Sequence, residues 1–352
     1  MLDGGEAIRK LALNVARLSG FAPLAGPLVG GIGAILMLHR VTDAPCASLG
    51  INRHLAISPK FLDALIADMK RRGYVFVTLD EAIERLGQKS HRELFATITA
   101  DDAYRDNLTE ALPVLEKHGT PVTIYVAPSL ISGTVDLWWD LVEEVVSSND
   151  WLHLDTPEGR VSIDCTTSRK KYDANVWLHT YLTGTVDEEE QRKVLRALAE
   201  SSGIDPDRHR LDVIMNWDEV REASAHPLIT IGAHTVNHYN LRRLSEEKAL
   251  AEMVNSAKIL EAETGRKPRH MAYPYGYARA VGPREVALSA EAGFVSAVTT
   301  RHGVLRPEHA KHLHALPRIS INGRYQRVEH VRTMLSGVTT PLANAGKVVV
   351  TV

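Results

Sequence analysis

Cysteine is scarce in this chain of 352 residues, which contains Cys46 and Cys165 and no other. The two lie far apart and outside any CxxC motif, which excludes a disulfide framework and a zinc ribbon. Two free thiols are typical of a reducing compartment, and we therefore expect a cytoplasmic location. An excess of either charge is also missing, because the formal net charge is −2. The composition therefore gives no general electrostatic attraction to nucleic acid.

Long apolar runs are missing as well. No uninterrupted apolar stretch reaches the roughly 18 residues that a membrane-spanning helix needs. The apolar-rich N-terminus is broken by Arg17, and it carries Asp3 where a signal peptide has positive charge. We predict an N-terminal segment over residues 1–33, with an amphipathic helix at 7–19. This segment either packs on the domain or lies on a membrane surface, and in the second case residues 7–33 would hold the chain at the inner face of the membrane.

What the chain does contain is a series of apolar, β-rich segments that alternate with helical patterns. Most are continuous apolar runs, as expected for strands that are covered on both faces. Repeated strand–helix units predict a parallel sheet, either open or closed into a barrel. The predicted strands are AILMLH (34–39), LFATIT (94–99), PVTIYVA (121–127), LITIGAH (228–234), RHMAYP (269–274), FVSAVTT (294–300) and LHALPRISI (313–321).

Helix ends and domain limits can also be predicted. Ser58 followed by Pro59 is typical of a helix start, as N-cap and first-turn proline. Residues 130–215 interrupt the strand–helix rhythm with helical and irregular patterns, and we interpret them as an insertion rather than a separate domain. The predicted barrel then spans residues 34–336, and residues 337–352 form a C-terminal tail.

Polar residues that could carry chemistry follow several of the predicted strands. His39 ends the first strand, Asp101 and Asp102 follow the second, His234 ends the fourth, and Tyr275 follows the fifth. The C-terminal ends of parallel strands meet on one face of an α/β barrel or sheet, which is where active sites are built. The sequence therefore predicts a single site at this face.

Two carboxylates side by side after a buried strand need compensation, by a cation, a basic residue or exposure to water. His234 and His238 are four residues apart, a spacing that lets two imidazoles grip one cation. With Asp102 they make a set of three ligands that leaves positions open for water and substrate, as in hydrolytic zinc sites. Zinc fits this set, and so would cobalt, nickel or iron.

The chain resembles the polysaccharide deacetylases, carbohydrate esterase family 4, which share the homology domain of the nodulation-type chitooligosaccharide deacetylases. The family's first motif reads TFDDG, and the corresponding segment here is TADDA (99–103). The second motif pairs two histidines around a serine or threonine, here HTVNH (234–238), and the third reads RxPY, here AYPY (272–275). The resemblance covers about residues 34–128 and 212–323. It implies a distorted (β/α)7-type barrel, within an α/β fold, that carries the inserted segment.

The resemblance also implies roles for the site residues. Asp101 would be the general base that deprotonates the attacking water, and Asp102 with the two histidines would bind the metal, most simply Zn²⁺. The backbone N–H of Tyr275 would help to stabilise the oxyanion.

The family's general acid is a histidine in an L-x-H strand near the C-terminus. Here that pattern is found at the front of the chain, in ILMLH (35–39). This predicts a circular permutation with His39 as the acid, because the first and last strands of a barrel are neighbours. His314 is the competing candidate.

Three positions depart from the family pattern. Ala100 and Ala103 replace the phenylalanine and glycine of the first motif, and Ala272 replaces the arginine of the third. That arginine pairs with the base in the family, so another residue must hold Asp101. Arg318 in LPRIS is our first candidate, and Arg105 is the alternative.

The expected reaction is metal-dependent hydrolysis of the N-acetyl amide of N-acetylglucosamine-type units in an oligo- or polysaccharide, which releases acetate. Two alternatives stay open: deacylation or deformylation of a lipid-linked sugar, and a non-catalytic glycan-binding relative. Trp138 and Trp139 could stack on sugar rings or could belong to the core.

Overall fold

The computed structural model describes residues 14, 29–44, 49–88 and 93–352. Apart from residues 14 and 29–33, the predicted N-terminal segment lies outside them, as does Cys46. None of the helices in the described ranges is long and apolar enough to cross a membrane.

Each of the seven predicted strands is present, within a few residues of its predicted limits. The strands are β1 Gly33–Leu38, β2 Arg40–Val41, β3 Ala56–Ile57, β4 Tyr74–Phe76, β5 Leu94–Ala100, β6 Val122–Val126, β7 Trp151–Thr156, β8 Gly159–Asp164, β9 Ile229–Ala233, β10 His270–Ala272, β11 Ser296–His302 and β12 Leu316–Ser320.

The predicted strands form a closed parallel barrel, which confirms the predicted fold class. The ring runs β1–β12–β11–β10–β9–β6–β5 and closes where β5 pairs with β1. Strand β4 is not part of the ring and pairs with the first residues of β5. Strand β1 lies between β12 and β5, pairing Leu36 with Ile319 on one side and Ile98 on the other. The front strand of the chain therefore fills the gap between the strand of the first motif and the last strand of the barrel.

Helices cover the outside of the barrel. In the described ranges they are α1 Pro59–Arg71, α2 Leu79–Leu86, α3 Leu112–His118, α4 Pro128–Ser132, α5 Trp138–Ser148, α6 Ser168–Gly184, α7 Glu188–Ser201, α8 Pro206–Val213, α9 Trp217–Ala225, α10 Glu246–Thr264, α11 Pro283–Glu291, α12 Val328–Leu335 and α13 Thr339–Ala343.

Local sequence sets the helix ends. The Ser58 side chain accepts a hydrogen bond from the Phe61 N–H at 3.1 Å, so it caps α1 as predicted. Gly119 ends α3 in the left-handed conformation, with φ of 55°. A glycine adopts this conformation without the steric penalty of a Cβ, which lets the chain turn directly into β6.

The insertion has a hydrophobic core of its own. Helices α5, α6 and α7 bury Trp138, Val145, Leu178 and Leu195 together with one face of the β7–β8 hairpin. This hairpin was not predicted from the sequence. Its first strand, β7, alternates between buried and exposed residues because only one face of the hairpin is covered.

The C-terminal segment packs against the barrel. Val350 is buried, and its carbonyl oxygen lies 3.1 Å from Nε2 of the buried His309.

Candidate functional site

Strand register brings the predicted site residues to one edge of the barrel. Leu38 of β1 pairs with Ala100 of β5, so His39 and Asp101 follow on adjacent strands. On the other side, the backbone N–H of His234 donates to the Val126 carbonyl at 3.0 Å. The predicted site residues therefore meet at the C-terminal edge of the barrel. They are His39, Asp101, Asp102, His234, His238, Tyr275 and Arg318.

Asp102 lies between the two imidazoles of the HTVNH segment. Its Oδ1 is 3.5 Å from Nε2 of His234 and 3.4 Å from Nε2 of His238. The Nδ1–H of His234 donates to the Ala272 carbonyl at 2.7 Å, which leaves the Nε2 lone pair facing Asp102. Such a backbone contact fixes the tautomer and orientation of a metal-binding histidine.

The three side chains fit a cation. One ligand atom from each of Asp102, His234 and His238 lies within 4.8 Å of the others. In a tetrahedral site with metal–ligand bonds of about 2.0–2.1 Å, two ligand atoms lie roughly 3.3 Å apart. The two oxygen–nitrogen distances here, 3.5 Å and 3.4 Å, are close to that separation. Oδ1 of Asp102 is buried and has no hydrogen-bond partner among the described residues.

The electrostatics of Asp102, His234 and His238 also favour a metal site. Burial raises the pKa of the Asp102 carboxyl well above its usual value, and the charge of Asp101 raises it further. Burial lowers the pKa of His234 and His238, so both imidazoles are neutral at neutral pH. Neutral imidazoles and a carboxylate that lacks a counter-charge are the donor set of a divalent metal site.

Asp101 is held by Arg318 from the last barrel strand. The two guanidinium Nη atoms donate to the two carboxylate oxygens of Asp101, each at 2.7 Å. The Nε of Arg318 donates to the Thr299 carbonyl at 2.9 Å, and Nη1 also donates to Thr99 Oγ1 at 3.1 Å. Burial would raise the pKa of Asp101, but the charge and hydrogen bonds of Arg318 outweigh it and bring the pKa to about 2. Arg318, the first candidate from the sequence, is therefore the residue that holds Asp101 in this chain.

His39 and Tyr275 complete the site. Burial lowers the pKa of His39 to about 4, while the negative charge of Asp101 opposes this fall. The Tyr275 ring centroid lies 5.6 Å from that of His238. The Tyr275 carbonyl accepts from Thr300 Oγ1 at 2.8 Å, whereas its N–H has no acceptor among the described residues.

The alternative candidates lie elsewhere. His314 precedes β12 at the opposite end of the barrel, where its Nδ1 lies 3.1 Å from Ser289 Oγ. Arg105 bonds Glu219 at 2.8 Å and does not reach Asp101. The structure therefore brings His39 and Arg318 to the site and leaves His314 and Arg105 out of it.

The two tryptophans border the site on the insertion side. Trp138 is buried and stacks on Tyr275, with ring centroids 6.2 Å apart. Trp139 is half-buried, lies 5.3 Å from the His238 ring, and donates from Nε1 to Tyr104 Oη at 3.0 Å.

A groove of about 440 Å³ lies close to Trp139, whose backbone carbonyl accepts from the groove residue Asn52 at 2.9 Å. It lies between the segment after β2, helix α5 and helix α8, and it is lined among others by Arg40, Asn52, Arg53, Asp140, Arg208 and His209. Asn52 donates to Asp140 at 3.0 Å, and Asp140 in turn lies 3.0 Å from His209 Nε2. This groove could not be predicted from the sequence, because its residues come from separate segments with no common spacing.

A carboxylate and two imidazoles that could hold a cation, at the C-terminal edge of a (β/α) barrel, are typical of a hydrolase. A sequence model of the family described as "Polysaccharide deacetylase" matches residues 88–210 and 207–294, more than half of the chain. The chain therefore belongs to the polysaccharide deacetylase family, as the sequence motifs predicted, and it is a hydrolase of amide bonds. No curated protein gives a significant match.

Solved structures share the fold. The Streptococcus pyogenes deacetylase PplD, in complex with acetate, is 18% identical with a TM-score of 0.53, and the match covers 86% of this chain and 97% of PplD. IcaB from Ammonifex degensii is 18% identical with a TM-score of 0.54, over 87% of this chain and 98% of IcaB. A de-N-acetylase from Aggregatibacter actinomycetemcomitans is 15% identical with a TM-score of 0.53, over 86% and 99%.

Proposed function

We propose that this protein is a metal-dependent deacetylase that hydrolyses the N-acetyl amide of N-acetylglucosamine-type units in a glycan and releases acetate. One observation carries the proposal. Beside Asp101, whose carboxylate is fixed by Arg318, the three side chains of Asp102, His234 and His238 meet around a position that suits a cation. A charged base next to a metal site is one arrangement that supports hydrolysis of an unactivated amide.

Asp102, His234 and His238 would hold the metal, most simply Zn²⁺. When bound, such an ion supplies Lewis-acid polarisation of the acetyl carbonyl and lowers the pKa of water. It would also neutralise Asp102, whose buried charge otherwise faces that of Asp101. The two adjacent carboxylates can then stay ionised together.

Asp101 is the proposed proton acceptor. With a pKa of about 2 it is ionised at neutral pH. Each of its oxygens accepts one hydrogen bond from Arg318 and keeps a second lone pair for a water proton. The guanidinium fixes the carboxylate plane, so Arg318 acts as a positioning residue.

His39 and the Tyr275 amide complete the proposed reaction. A pKa of about 4 makes His39 neutral at neutral pH. We therefore propose that the proton which Asp101 takes from water passes by way of His39 to the leaving nitrogen, so that the C–N bond breaks, the amine departs and both side chains return to their starting state. The Tyr275 N–H is free to donate to the oxyanion that develops on the acetyl oxygen.

Family membership and surroundings support a glycan substrate. PplD and the Aggregatibacter enzyme are named for deacetylation and de-N-acetylation, which supports the acetyl amide as the bond that is cut. The adjoining groove is lined by amide, carboxylate and guanidinium groups, which can donate to and accept from sugar hydroxyls.

The test is acetate release from N-acetylated glucosamine oligomers, measured with metal-free protein before and after Zn²⁺ is added, alongside metal analysis. We expect no release without metal, restored release with Zn²⁺, and a loss of at least about 100-fold for Asp101→Asn. The exposed Asp155→Asn is the matched control and should keep full activity. Oligomer binding without acetate release would instead identify a non-catalytic glycan-binding protein.

A further inference from the structure

The backbone between the two proposed histidine ligands is strained. Thr235 has φ of 60° and His238 has φ of 55°, both in the left-handed region. Side chains with a Cβ pay a steric penalty there, so this conformation persists only where surrounding contacts enforce it. What enforces it at this segment determines where the His238 imidazole lies.

A single buried carboxylate on helix α10 contacts this segment. Glu252 Oε2 accepts from the N–H of Val236 at 3.0 Å and from the N–H of Asn237 at 2.8 Å. Its Oε1 accepts from the side-chain amide of Asn237. The exposed fraction of Glu252 is 9%.

The opposite side of the segment is bound as well. Ser129 of α4 donates from its N–H to the Val236 carbonyl at 3.0 Å and from its hydroxyl to Asn237 Oδ1 at 2.8 Å. Asn237 is therefore held between Ser129 and Glu252.

In the part of the chain that the structure describes, no lysine, arginine or histidine forms an ion pair with Glu252. A buried carboxylate is costly unless hydrogen bonds compensate it. The amides of this one segment are what compensates Glu252, so the pairing is specific to the segment.

We infer that Glu252 is a positioning residue for the metal site, which holds the backbone of residues 235–238 in the strained conformation that presents His234 and His238 to one cation. The inference rests on the metal site of the proposed function. Loss of the carboxylate leaves two buried N–H groups competing for a weaker acceptor and frees the segment to relax.

The test is the dissociation constant for Zn²⁺, measured on metal-free protein by competition with a chelator, together with the visible absorption of the Co²⁺-loaded protein. For Glu252→Gln we expect a 10- to 100-fold loss of Zn²⁺ affinity and an altered Co²⁺ spectrum, the range found when groups that orient metal ligands are removed. Glu261→Gln, on an exposed turn of the same helix, should change the affinity less than 2-fold.

A rescue separates positioning from general destabilisation. Asn237→Asp alone places a second carboxylate against Glu252 and should also weaken Zn²⁺ binding. Combined with Glu252→Gln, it restores a complementary amide–carboxylate pair in the reverse sense, and Ser129 can still donate to it. We expect the double variant to bind Zn²⁺ more tightly than either single variant.

The outcomes are distinguishable. If wild-type protein binds no metal, both the proposed function and this inference fail. If wild-type protein binds Zn²⁺ and folded Glu252→Gln shows the same affinity and spectrum, the inference alone is wrong. If Glu252→Gln does not fold, Asn237→Ala is the variant that tests the inference, because it removes only side-chain contacts. It should weaken Zn²⁺ binding about 5- to 10-fold, and unchanged binding would overturn the inference.

Discussion

The buried pair of Arg318 and Asp101 gives the sharpest energetic prediction. A fall in the pKa of Asp101 from 3.8 to about 2 corresponds to native-state stabilisation on the order of 2 kcal/mol. This contribution is complete above pH 4 and is lost as the pH falls through 2. Arg318→Met removes it and leaves an unpaired carboxylate beside Asp102, so we expect a cost of about 3–5 kcal/mol in the free energy of unfolding.

The measurement is a double-mutant cycle of Arg318→Met and Asp101→Leu, in which the free energy of unfolding of each protein is obtained from denaturant unfolding at pH 7. A chelator is present so that bound metal cannot mask the effect. Replacing both partners with apolar side chains leaves no unpaired charge, so the double variant should lose at least about 2 kcal/mol less than the two single losses together. Arg332→Met is the matched control. Its partner Asp68 keeps Arg71 and Arg72 nearby, so we expect a cost under about 1 kcal/mol. A coupling below about 0.5 kcal/mol would refute the reasoning.

Three further predictions concern the metal, the acid and the substrate. The pKa of Asp102 is raised in the metal-free native state, so this state should lose stability as the pH rises from about 4 towards the raised pKa. The melting temperature of the wild type should therefore fall relative to that of Asp102→Asn as the pH rises through this range, and equal profiles would contradict this. His39→Gln should lower kcat at least about 100-fold with Zn²⁺ affinity kept, while His314→Gln should not; the reverse in an acetate-release assay would exclude His39 as the acid. Arg53→Ala and Arg208→Ala should raise KM about 10-fold for a pentasaccharide but not for the monosaccharide, and equal effects on both would exclude the groove as a binding site for the longer chain.

The sequence predicted the barrel strands well because both faces of these strands are buried. Such strands are continuous apolar runs, and the change from apolar to polar residues marks where each one ends. His39, Asp101 and His234 could be placed at the same edge for that reason alone. The hairpin from Trp151 to Asp164 was missed because it is covered on one face only and lies between helical patterns.

Contacts between distant segments could not be predicted in the same way. The choice between Arg318 and Arg105 as partner of Asp101 stayed open from sequence, because Arg318 is 217 residues away and reaches Asp101 only once the barrel closes. Glu252 carried no signal either. On the sequence it is one glutamate among several in an amphipathic helix, and only packing shows that its carboxylate faces the backbone of the histidine segment.

The backbone at the site connects these observations. Six non-glycine residues in the described ranges have positive φ, and five of them, Asp102, Ala103, Thr235, His238 and Tyr275, belong to the three motifs. At roughly 1 kcal/mol or more each, this conformation costs the protein on the order of 5 kcal/mol. Ala103, at the position where the family motif has glycine, adopts the left-handed conformation with φ of 55° and so adds to the strain. The proposed cation would contact Asp102, His234 and His238, so its binding free energy would offset both the strain of this backbone and the repulsion between the two adjacent buried carboxylates. Metal binding and the stability of this edge of the barrel should therefore be strongly coupled, and the metal-free protein should exchange the amide hydrogens of residues 234–238 faster than the Zn²⁺-loaded protein does.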